Sequence, residues 1–343
     1  MLKYVKNSRR AGMKVAIVKL SAMGDIIHAM VALQYIKKAN PSLEIDWIVE
    51  QGFVPILEGN PHIDNILPVH LKSIKKEKKN FFEQYKLVKS YAKNQYDLII
   101  DAQGLMKSAL TARILGKNVA GFSKNSIREG VASYFYTHQV DIDYAANTID
   151  RNAKVMSEPL GVEVSQEMIL NKEPFLFYTK SQKVNDVLSE TRKNIVFVIG
   201  STWESRNYPK EKFVEIAEAL RANILVAWGS SEEKEKAAWI ASQSQYATAL
   251  PKINLNDLKA LIAQCDLLIG NDTGPTHMAW GLNVPSITIF GPTPINRVYK
   301  TPINRVVNSS SKVNHYKLNK EDFSIAEIEV EEIVTLAKEL LDA

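Results

Sequence analysis

The 343-residue sequence has little of what marks several protein classes. Cys265 is its one cysteine, so no intrachain disulfide can form, and a reducing compartment is expected. Because Cys265 follows a predicted helix among apolar neighbours, we expect a buried thiol. No run approaches the roughly 18–20 apolar residues that a membrane-spanning helix needs. Residues 1–12 form a basic extension, and the segment after them lacks the cleavage site of a signal peptide.

The sequence also lacks the common nucleotide-binding and catalytic motifs. No Gly-X-Gly-X-X-Gly follows the first predicted strand, which disfavours a nicotinamide-dependent enzyme. There is no Walker A pattern, no zinc spacing of cysteine and histidine, and no Gly-X-Ser-X-Gly elbow. Asp141 and Asp143 form an Asp-X-Asp pair, but they alternate with apolar residues like an exposed edge strand and have no supporting acidic or histidine cluster. We therefore predict no metal site.

The formal net charge of +5 is modest and gives no reason to expect a nucleic-acid partner. Lysines are nevertheless concentrated in one short segment, where Glu77 is the opposing acid. The members are Lys72, Lys75, Lys76, Lys78 and Lys79. Such a segment is either a solvated loop or a patch that binds phosphate groups of a substrate or of a membrane surface.

The chain is longer than one ordinary core, and its 45% hydrophobic and 24% charged residues are typical of globular proteins. Strand-like and helix-like segments alternate in both halves, and the pattern weakens between residues 161 and 194. The sequence therefore predicts an α/β protein with two doubly wound parallel sheets, in domains 1–176 and 177–343. We expect a final helix at 325–341 to pack as core, with packing back on the first domain as an alternative.

Residues 267–280 are the most informative stretch of the second half. The apolar run at 267–269 predicts a buried strand, and the residues from Gly270 to Gly274 suit a tight turn. Pro275 suits the first turn of a following helix, because its missing N–H would have no partner there. Free N–H groups and the helix dipole at such a junction favour an anion.

Three further apolar runs of this half end in the same kind of loop. They are 195–199, 224–228 and 286–290, which are followed by Gly200, Gly229 and Gly291. If these strands are parallel neighbours, all four loops lie at their carboxyl ends, where open α/β sheets bind ligands. The pattern predicts a cleft for a ligand rich in sugar or phosphate groups.

Asp25 is the notable residue of the first half. A strand at 14–19 precedes it and a helical pattern at 26–39 follows it, so Asp25 lies near a helix start. It is either an ordinary cap or a carboxylate that projects into the cleft.

Two other predicted helices of this half bear on the argument. Residues 81–94 have the pattern of an amphipathic helix. Its inward face would consist of Phe82, Tyr85, Leu87, Val88 and Tyr91. Residues 126–136 predict a second helix, which carries Arg128.

Two segments resemble signatures of the bacterial lipopolysaccharide heptosyltransferases, glycosyltransferase family 9. Met13-Lys-Val-Ala-Ile-Val-Lys-Leu-Ser-Ala-Met-Gly-Asp-Ile-Ile-His28 is similar to the family's N-terminal signature. Gly270-Asn-Asp-Thr-Gly-Pro-Thr-His277 is similar to its nucleotide-sugar signature. Between them, residues 47–50, 101–108 and 128–133 are similar to the heptosyltransferase I branch. The resemblance covers most of the chain from Met13 onward.

The resemblance implies a GT-B fold, in which two Rossmann-like domains face each other across a cleft. It implies an inverting, metal-independent transfer of L-glycero-D-manno-heptose from ADP-heptose to the inner Kdo of Kdo2-lipid A, without a cofactor. It also implies a cytoplasmic enzyme that is peripheral at the inner membrane surface.

By position, the resemblance makes Asp25 the general base, and Lys19 lies just before it. The implied donor-binding residues are Ser201, Thr202, Arg206, Glu233, Asp272, Thr273, Gly274 and His277. The implied acceptor-binding residues are Ser21, Gly24, Lys72, Lys75, Lys76, Arg128 and Arg151. Three positions depart from the family's pattern, since Ala22 replaces a serine, Arg206 replaces a lysine, and Trp203 follows the donor-loop threonine.

Three alternatives remain at this point. A heptosyltransferase II, which adds the second heptose, would share nearly every donor residue. A nucleotide-dependent oxidoreductase or epimerase on a Rossmann-like fold is disfavoured by the missing glycine fingerprint. A non-catalytic nucleotide-sugar sensor would turn over no donor in the presence of acceptor.

Overall fold

The structure is a computed structural model that describes residues 12–75, 77, 79–314 and 318–343. The chain divides after Phe175 into two compact units, one residue from the position predicted. Each unit contains one six-stranded sheet, and every strand pairing in it is parallel.

The first unit has six strands and six α-helices among its described residues. The strands are β1 (Lys14–Val18), β2 (Glu44–Glu50), β3 (Asn65–Val69), β4 (Leu98–Asp101), β5 (Val119–Phe122) and β6 (His138–Val140). The helices are α1 (Met23–Ala39), α2 (Val54–Leu57), α3 (Asn80–Tyr91), α4 (Met106–Leu115), α5 (Thr148–Ser157) and α6 (Gln166–Leu170).

The second unit repeats this composition over the part of it that the structure describes. Its strands are β7 (Asn194–Val198), β8 (Asn223–Ala227), β9 (Ala247–Ala249), β10 (Leu267–Asn271), β11 (Ser286–Phe290) and β12 (Asn304–Asn308). Its helices are α7 (Gln182–Asn185), α8 (Lys210–Leu220), α9 (Ser231–Gln243), α10 (Leu255–Ile262), α11 (Gly274–Gly281) and α12 (Val330–Asp342).

The two sheets have the same topology. The orders are β3-β2-β1-β4-β5-β6 and β12-β11-β10-β7-β8-β9, which are one pattern when each unit is counted from its first strand. This is the order of the dinucleotide-binding doubly wound fold, and right-handed crossovers then place helices on both faces. The prediction of two Rossmann-like parallel sheets is confirmed. So is the adjacency of the four glycine-ended strands, because β11, β10, β7 and β8 are consecutive neighbours.

The strands of the second sheet are apolar because both of their faces are covered. Every residue of β7, β8, β10 and β11 is buried, as expected of a parallel sheet between helix layers. The final helix begins at Val330, after a 3₁₀ turn at Ser324–Glu327, and so is shorter than predicted. It packs against α8 and against strands of its own unit.

Helix α3 differs from its prediction in the face that it buries. Val88 and Gln84 are buried and Tyr91 is half-buried, whereas the side chains of Phe82 and Tyr85 are exposed. Gln84 is accommodated because its Oε1 accepts a hydrogen bond of 2.7 Å from the backbone N–H of His70. The prediction was wrong for Phe82 and Tyr85 because it assumed that aromatic side chains on an amphipathic helix face the core.

The segment predicted as a helix at 126–136 is not an α-helix. It contains a 3₁₀ turn at Lys124–Ser126 and another at Gly130–Phe135, and the backbone between them is extended at Ile127. Arg128 therefore lies on a connecting loop. Among the described residues, no helix is both long enough and apolar enough to cross a membrane.

Gly270 gives a direct test of the packing at the centre of the second sheet. A Cβ at this position would lie 2.6 Å from Val198 Cβ and 2.8 Å from Thr276 Oγ1. We expect Gly270→Ala to lower the free energy of unfolding by roughly 1–3 kcal/mol, because neither neighbour can move without disturbing β7 or α11. Urea unfolding followed by circular dichroism measures this change.

The matched control for that variant is Gly52→Ala, because a Cβ on Gly52 would meet no atom within 4 Å. Its effect should stay within about 0.5 kcal/mol, as for other surface substitutions without a structural role. Equal destabilisation by the two variants would contradict the steric explanation.

Candidate active site

Each sheet has a point at which the strand order reverses, and the candidate site residues follow the strands at these points. In the first sheet the reversal lies between β1 and β4, and in the second between β7 and β10. The two connections that leave such a pair of strands go to opposite faces of the sheet, which opens a crevice at the carboxyl ends. Ligands of open α/β sheets bind in this crevice.

The β1–α1 loop of the first unit is fastened to the β4–α4 loop. The backbone N–H groups of Leu20 and Ser21 both donate to Oε1 of Gln103, at 3.1 and 3.0 Å. Asp25 lies in the first turn of α1, and its Oδ2 is 3.4 Å from the backbone N of Ala22. Ser21, Gly24 and Asp25 are all half-buried. The carboxylate is thus held by the helix start and lines the adjacent cavity.

Lys19 is a buried cation beside this loop. Its Nζ donates to the carbonyl oxygen of Ala102 at 2.7 Å and to Oδ1 of Asn152 at 2.8 Å. Burial lowers the pKa of the Lys19 ammonium, and the negative charges of Asp25 and Asp101 oppose that shift.

Asp101 ends β4 and organises the opposite wall of the crevice. Its carboxylate accepts hydrogen bonds from the Tyr136 hydroxyl at 2.7 Å, from Ser108 Oγ at 2.9 Å, and from the backbone N–H of Gln103 at 2.9 Å. Burial raises the pKa of Asp101, and these hydrogen bonds act against the rise. Gly104 follows at φ +69°, a left-handed conformation that favours glycine.

The crevice continues into a cavity of about 200 Å³. Arg151 is fixed there, since its Nη2 donates to the carbonyl oxygen of Ser126 at 2.5 Å and its guanidinium lies 4.6 Å from the centre of the Tyr144 ring. Arg128 is an exposed residue of the lining. Two arginines and Lys19 around one aspartate suit an anionic ligand. The cavity lining includes Lys19, Asp25, Arg128, Tyr144, Thr148 and Arg151.

The lysines predicted to bind the acceptor either do not line this cavity or fall outside the described residues. Lys72 is exposed in a 3₁₀ turn, Leu71–Lys75, where its backbone N–H donates to Glu50 Oε1 at 3.1 Å. Its Nζ lies 4.9 Å from the centre of the Phe53 ring, and Lys72 is not among the lining residues of the cavity. The side chain of Lys75 and the whole of Lys76 lie outside the described residues.

The second unit is organised around the buried carboxylate of Asp272, which is 2% exposed. Arg206 Nη2 lies 2.7 Å from Oδ2 and also donates to the Asp272 carbonyl oxygen. His277 Nε2 lies 3.2 Å from Oδ1, and Arg297 Nη1 lies 3.6 Å from Oδ2. Thr293 Oγ1 donates to Oδ2 at 3.0 Å. One carboxylate therefore joins the loops that follow β7, β10 and β11.

The ionisation of Asp272 follows from these partners. Burial alone would raise the pKa of its carboxyl group, but the hydrogen bond from His277 and the charges of Arg297 and Arg206 hold it well below its usual range. Burial also lowers the pKa of Arg206, against the attraction of Asp272. The carboxylate is thus a structural anion that holds two arginines in position.

The loop after β10 joins a buried strand to the start of α11, as the sequence predicts. Thr273 precedes α11, whose first turn contains Gly274 and Pro275, and these three residues are half-buried. The side chain of Thr273 makes no capping hydrogen bond, but its carbonyl oxygen accepts hydrogen bonds from the backbone N–H groups of Thr276 at 3.1 Å and His277 at 3.3 Å. Asn271 braces the loop from below, with its Nδ2 donating to the Ile199 carbonyl oxygen at 2.8 Å.

Two of the predicted donor residues, Ser201 and Thr202, follow β7, and a third, Glu233, lies in the first turn of α9, which follows β8. Oε2 of Glu233 accepts hydrogen bonds from the backbone N–H groups of Gly229 at 2.6 Å and Ser230 at 3.3 Å, so Glu233 caps α9. Thr202 is exposed, and the buried Ser201 Oγ has no hydrogen-bond partner among the described residues. Glu233 therefore has a structural role as a cap of α9, which the sequence did not predict.

Sequence reasoning missed four residues of these crevices. Arg297 and Thr293 follow β11 and meet Asp272 only through folding, so no local pattern identifies them. Gln103 and Asn152 act through hydrogen bonds from side chains that look unremarkable in sequence. The polar run Asp101-Ala-Gln-Gly104 at the end of a strand was the available signal for Gln103.

Replacing the central carboxylate tests its structural role. Asp272→Asn leaves Arg206 and Arg297 beside a neutral amide, so the free energy of unfolding at pH 7 should fall by roughly 3–5 kcal/mol. A carboxyl group whose folded-state pKa lies below the ordinary value of 3.8 stabilises the folded protein above that pH. This stabilisation is lost as the pH falls. The difference between wild type and variant should therefore be constant from about pH 8 to about pH 5 and shrink below about pH 4.

The control for this series is Asp186→Asn, because Asp186 is exposed and bonds only to Gln182 among the partners that the structure gives it. Its unfolding free energy should stay within about 0.5 kcal/mol of wild type at each pH. A difference for Asp272→Asn that grows as the solution is acidified would contradict the assignment.

Comparisons with known proteins identify the family of the chain. The sequence profile of glycosyltransferase family 9 (heptosyltransferase) matches residues 84–326. Lipopolysaccharide heptosyltransferase 1 of Campylobacter coli is 38% identical over 96% of this chain and 99% of the relative. The Escherichia coli K12 protein of the same name is 29% identical over 90% of this chain and 97% of the relative.

A solved structure extends the similarity to the whole fold. Escherichia coli heptosyltransferase WaaC with ADP-2-deoxy-2-fluoro heptose has a TM-score of 0.77 and 25% identity, covering 95% of this chain and 99% of the solved one. The predicted GT-B class of fold is thereby confirmed, and the oxidoreductase alternative is not supported. The chain therefore belongs to glycosyltransferase family 9, the heptosyltransferases of lipopolysaccharide synthesis.

Proposed function

We propose that this heptosyltransferase transfers L-glycero-D-manno-heptose from ADP-heptose to the inner Kdo of Kdo2-lipid A, with inversion at the anomeric carbon. The relatives named lipopolysaccharide heptosyltransferase 1 support this acceptor. The single structural observation that carries the proposal is the Asp25 carboxylate, which lines a cation-rich cavity at the strand-order reversal of its sheet.

Asp25 is the proposed general base. A sugar hydroxyl is a poor nucleophile, and a positioned carboxylate that accepts its proton accelerates the attack about 10²–10⁴-fold. The backbone N–H groups of Leu20 and Ser21 donate to Gln103 Oε1 and so hold the loop that precedes Asp25, and the buried Lys19 lies beside this loop. Attack from the side opposite the leaving diphosphate gives inversion.

The proposed donor site stabilises the diphosphate that leaves. Negative charge grows on it as the glycosidic bond to the donor breaks, and fixed cations and helix N-terminal N–H groups lower the barrier most effectively when they are already in place. Asp272 holds Arg206 and Arg297 in position, and Thr273 and Gly274 begin α11. We assign the remaining donor contacts to Ser201, Thr202, Glu233 and His277.

The proposed acceptor site uses the basic residues of the first unit. Kdo carries a carboxylate and lipid A carries phosphates, which charge-assisted hydrogen bonds from arginine bind well. Arg151 is fixed by Ser126 and Tyr144, whereas Arg128 is an exposed residue of the cavity lining. Ser21, Gly24, Lys72, Lys75 and Lys76 complete the proposed set. Because Kdo2-lipid A is a membrane lipid, the enzyme would be peripheral at the cytoplasmic face of the inner membrane.

Heptosyltransferase II is the alternative within the family. The solved Escherichia coli ADP-heptose lps heptosyltransferase II shares the fold, with a TM-score of 0.73 at 20% identity. The relatives of this chain that are about 30% identical or more carry the name heptosyltransferase 1 instead, so that acceptor is preferred. Competition between Kdo2-lipid A and its mono-heptosylated product as acceptors distinguishes the two enzymes.

Asp25→Asn is the central test of the mechanism. The amide keeps the size of the side chain but cannot accept the proton, so turnover should fall at least about 100-fold, while the donor Kd stays nearly unchanged. Steady-state kinetics measure the turnover, and isothermal titration with ADP-heptose in the absence of acceptor measures the donor Kd. Asp143→Asn is the matched control, because Asp143 is an exposed aspartate of the Asp-X-Asp pair.

The control should retain wild-type turnover. Loss of turnover in Asp143→Asn would point to the rejected metal-binding interpretation of that pair. Near-normal turnover of Asp25→Asn would remove Asp25 from the mechanism.

Arg128→Ala tests the acceptor site separately. Loss of a charge-assisted hydrogen bond to a carboxylate should raise the acceptor KM roughly tenfold or more and leave the donor KM unchanged. Arg113→Ala serves as the control, since Arg113 is also exposed in the first unit but does not line the cavity. A parallel rise of both KM values in Arg128→Ala would count against an acceptor role.

A further inference from the structure

Helix α3 presents aromatic side chains to solvent. Phe81 is 51% exposed, Phe82 is 68% exposed and Tyr85 is 39% exposed. The Phe81 and Phe82 rings meet edge to face with centres 5.6 Å apart, so they pack on each other while remaining outside the core. Single exposed apolar residues are common, but three aromatic rings on one helical turn form a patch that calls for an explanation.

The same side of α3 carries lysines. At 100° per residue, Phe81, Tyr85, Lys89, Phe82 and Lys86 fall within roughly 140° of the helix circumference. Lys86 and Lys89 are exposed, and Lys89 Nζ lies 5.8 Å from the centre of the Tyr85 ring. Glu83 is the one acidic residue of the helix sequence and falls outside this arc. We call these five residues the α3 aromatic face.

The side of α3 that carries Gln84, Val88 and Tyr91 secures the helix to the first unit. Val88 is buried, Gln84 is bonded to the backbone of His70, and the Tyr91 hydroxyl donates to the Pro68 carbonyl oxygen at 2.8 Å. The helix also packs against the Leu71–Lys75 turn. The α3 aromatic face is therefore held rigidly in place by the contacts of its buried side.

We propose that the α3 aromatic face docks the enzyme on an anionic lipid bilayer. Phenylalanine and tyrosine rings favour the boundary between headgroups and acyl chains, and lysines beside them are attracted to anionic headgroups. The lysines complement a negatively charged surface and make an apolar protein groove a poorer partner. The inference deepens the proposed function, on which it rests, because an acceptor embedded in a membrane requires the enzyme to bind there.

The chemistry of the face sets the strength of the attachment. Two phenylalanines and a tyrosine insert only to the headgroup boundary, and each nearby lysine adds about 1 kcal/mol at an anionic surface. The binding is consequently reversible and salt-dependent. The Leu71–Lys75 turn packs on α3, so docking brings the start of the lysine-rich segment to the lipid surface.

Vesicle sedimentation of the full-length enzyme tests the apolar part of this face. The probe is vesicles of phosphatidylethanolamine and phosphatidylglycerol, with phosphatidylcholine vesicles as the neutral reference. Phe81→Ser combined with Phe82→Ser should weaken partitioning to the anionic vesicles roughly tenfold or more. Phe323→Ser is the control, because Phe323 is similarly exposed at 53% but has no such neighbours in its 3₁₀ turn.

The charged part has its own pair of variants. Lys86→Glu combined with Lys89→Glu should weaken partitioning by at least about tenfold at low salt and remove most of its salt dependence. Lys338→Glu, at an exposed position of α12, should change partitioning little. Circular dichroism and urea unfolding establish that all variants are folded.

Two results would overturn the proposal. One is unchanged vesicle partitioning of the Phe81 and Phe82 double variant. The other is a change in oligomeric state of this variant with vesicle binding intact, which would make the face a protein interface.

Activity assays separate this inference from the proposed function. The double phenylalanine variant should retain wild-type turnover on a water-soluble acceptor without acyl chains and lose rate on an acceptor embedded in vesicles. If the wild-type enzyme turned over neither acceptor, the proposed function would fail, while the sedimentation result would still decide the docking surface.

Discussion

A buried carboxylate between two arginines is the constraint from which the second unit's site follows. Burying Asp272 without partners would carry a large desolvation cost, which the cations Arg206 and Arg297 and the hydrogen bonds of His277 and Thr293 offset. These partners come from three different loops, so satisfying one charge fixes the relative positions of all three. In the proposed donor site, these two arginines are therefore oriented before the diphosphate binds, which is the condition for strong transition-state stabilisation.

The first unit also contains a buried charged group at its candidate site, but there the buried group is a cation. The negative charges of Asp25 and Asp101 oppose the effect of burial on the pKa of the buried Lys19. Asp101 also accepts a hydrogen bond from the backbone N–H of Gln103 and so fixes the loop that carries this residue. Both units place such groups at the point where the strand order reverses, because only there do the loops diverge and leave space. The same topology thus places the proposed general base in one unit and a pair of arginines in the other.

The sequence was most informative where local rules decide the structure. Apolar runs that end in glycine gave the four neighbouring strands, and Pro275 marked the start of α11. Local rules do not identify contacts between residues that are far apart in the sequence. The contact of Arg297 with Asp272, for example, depends on the pairing of β10 with β11. Glu233 was identified as a site residue, but a capping box explains its hydrogen bonds within the unit.

The error on α3 has a more general cause. Periodicity arguments assume one apolar environment, the protein core, so the aromatic side of a helix is taken to face inward. Helix α3 instead buries Gln84 and Val88. It leaves the side chains of Phe81, Phe82 and Tyr85 exposed to solvent. Such an arrangement is unfavourable in water alone, yet the buried side is specifically hydrogen-bonded, so the helix is not free to roll its rings inward. In the proposed docking, the bilayer boundary is a second apolar environment, which accommodates the rings that the core does not.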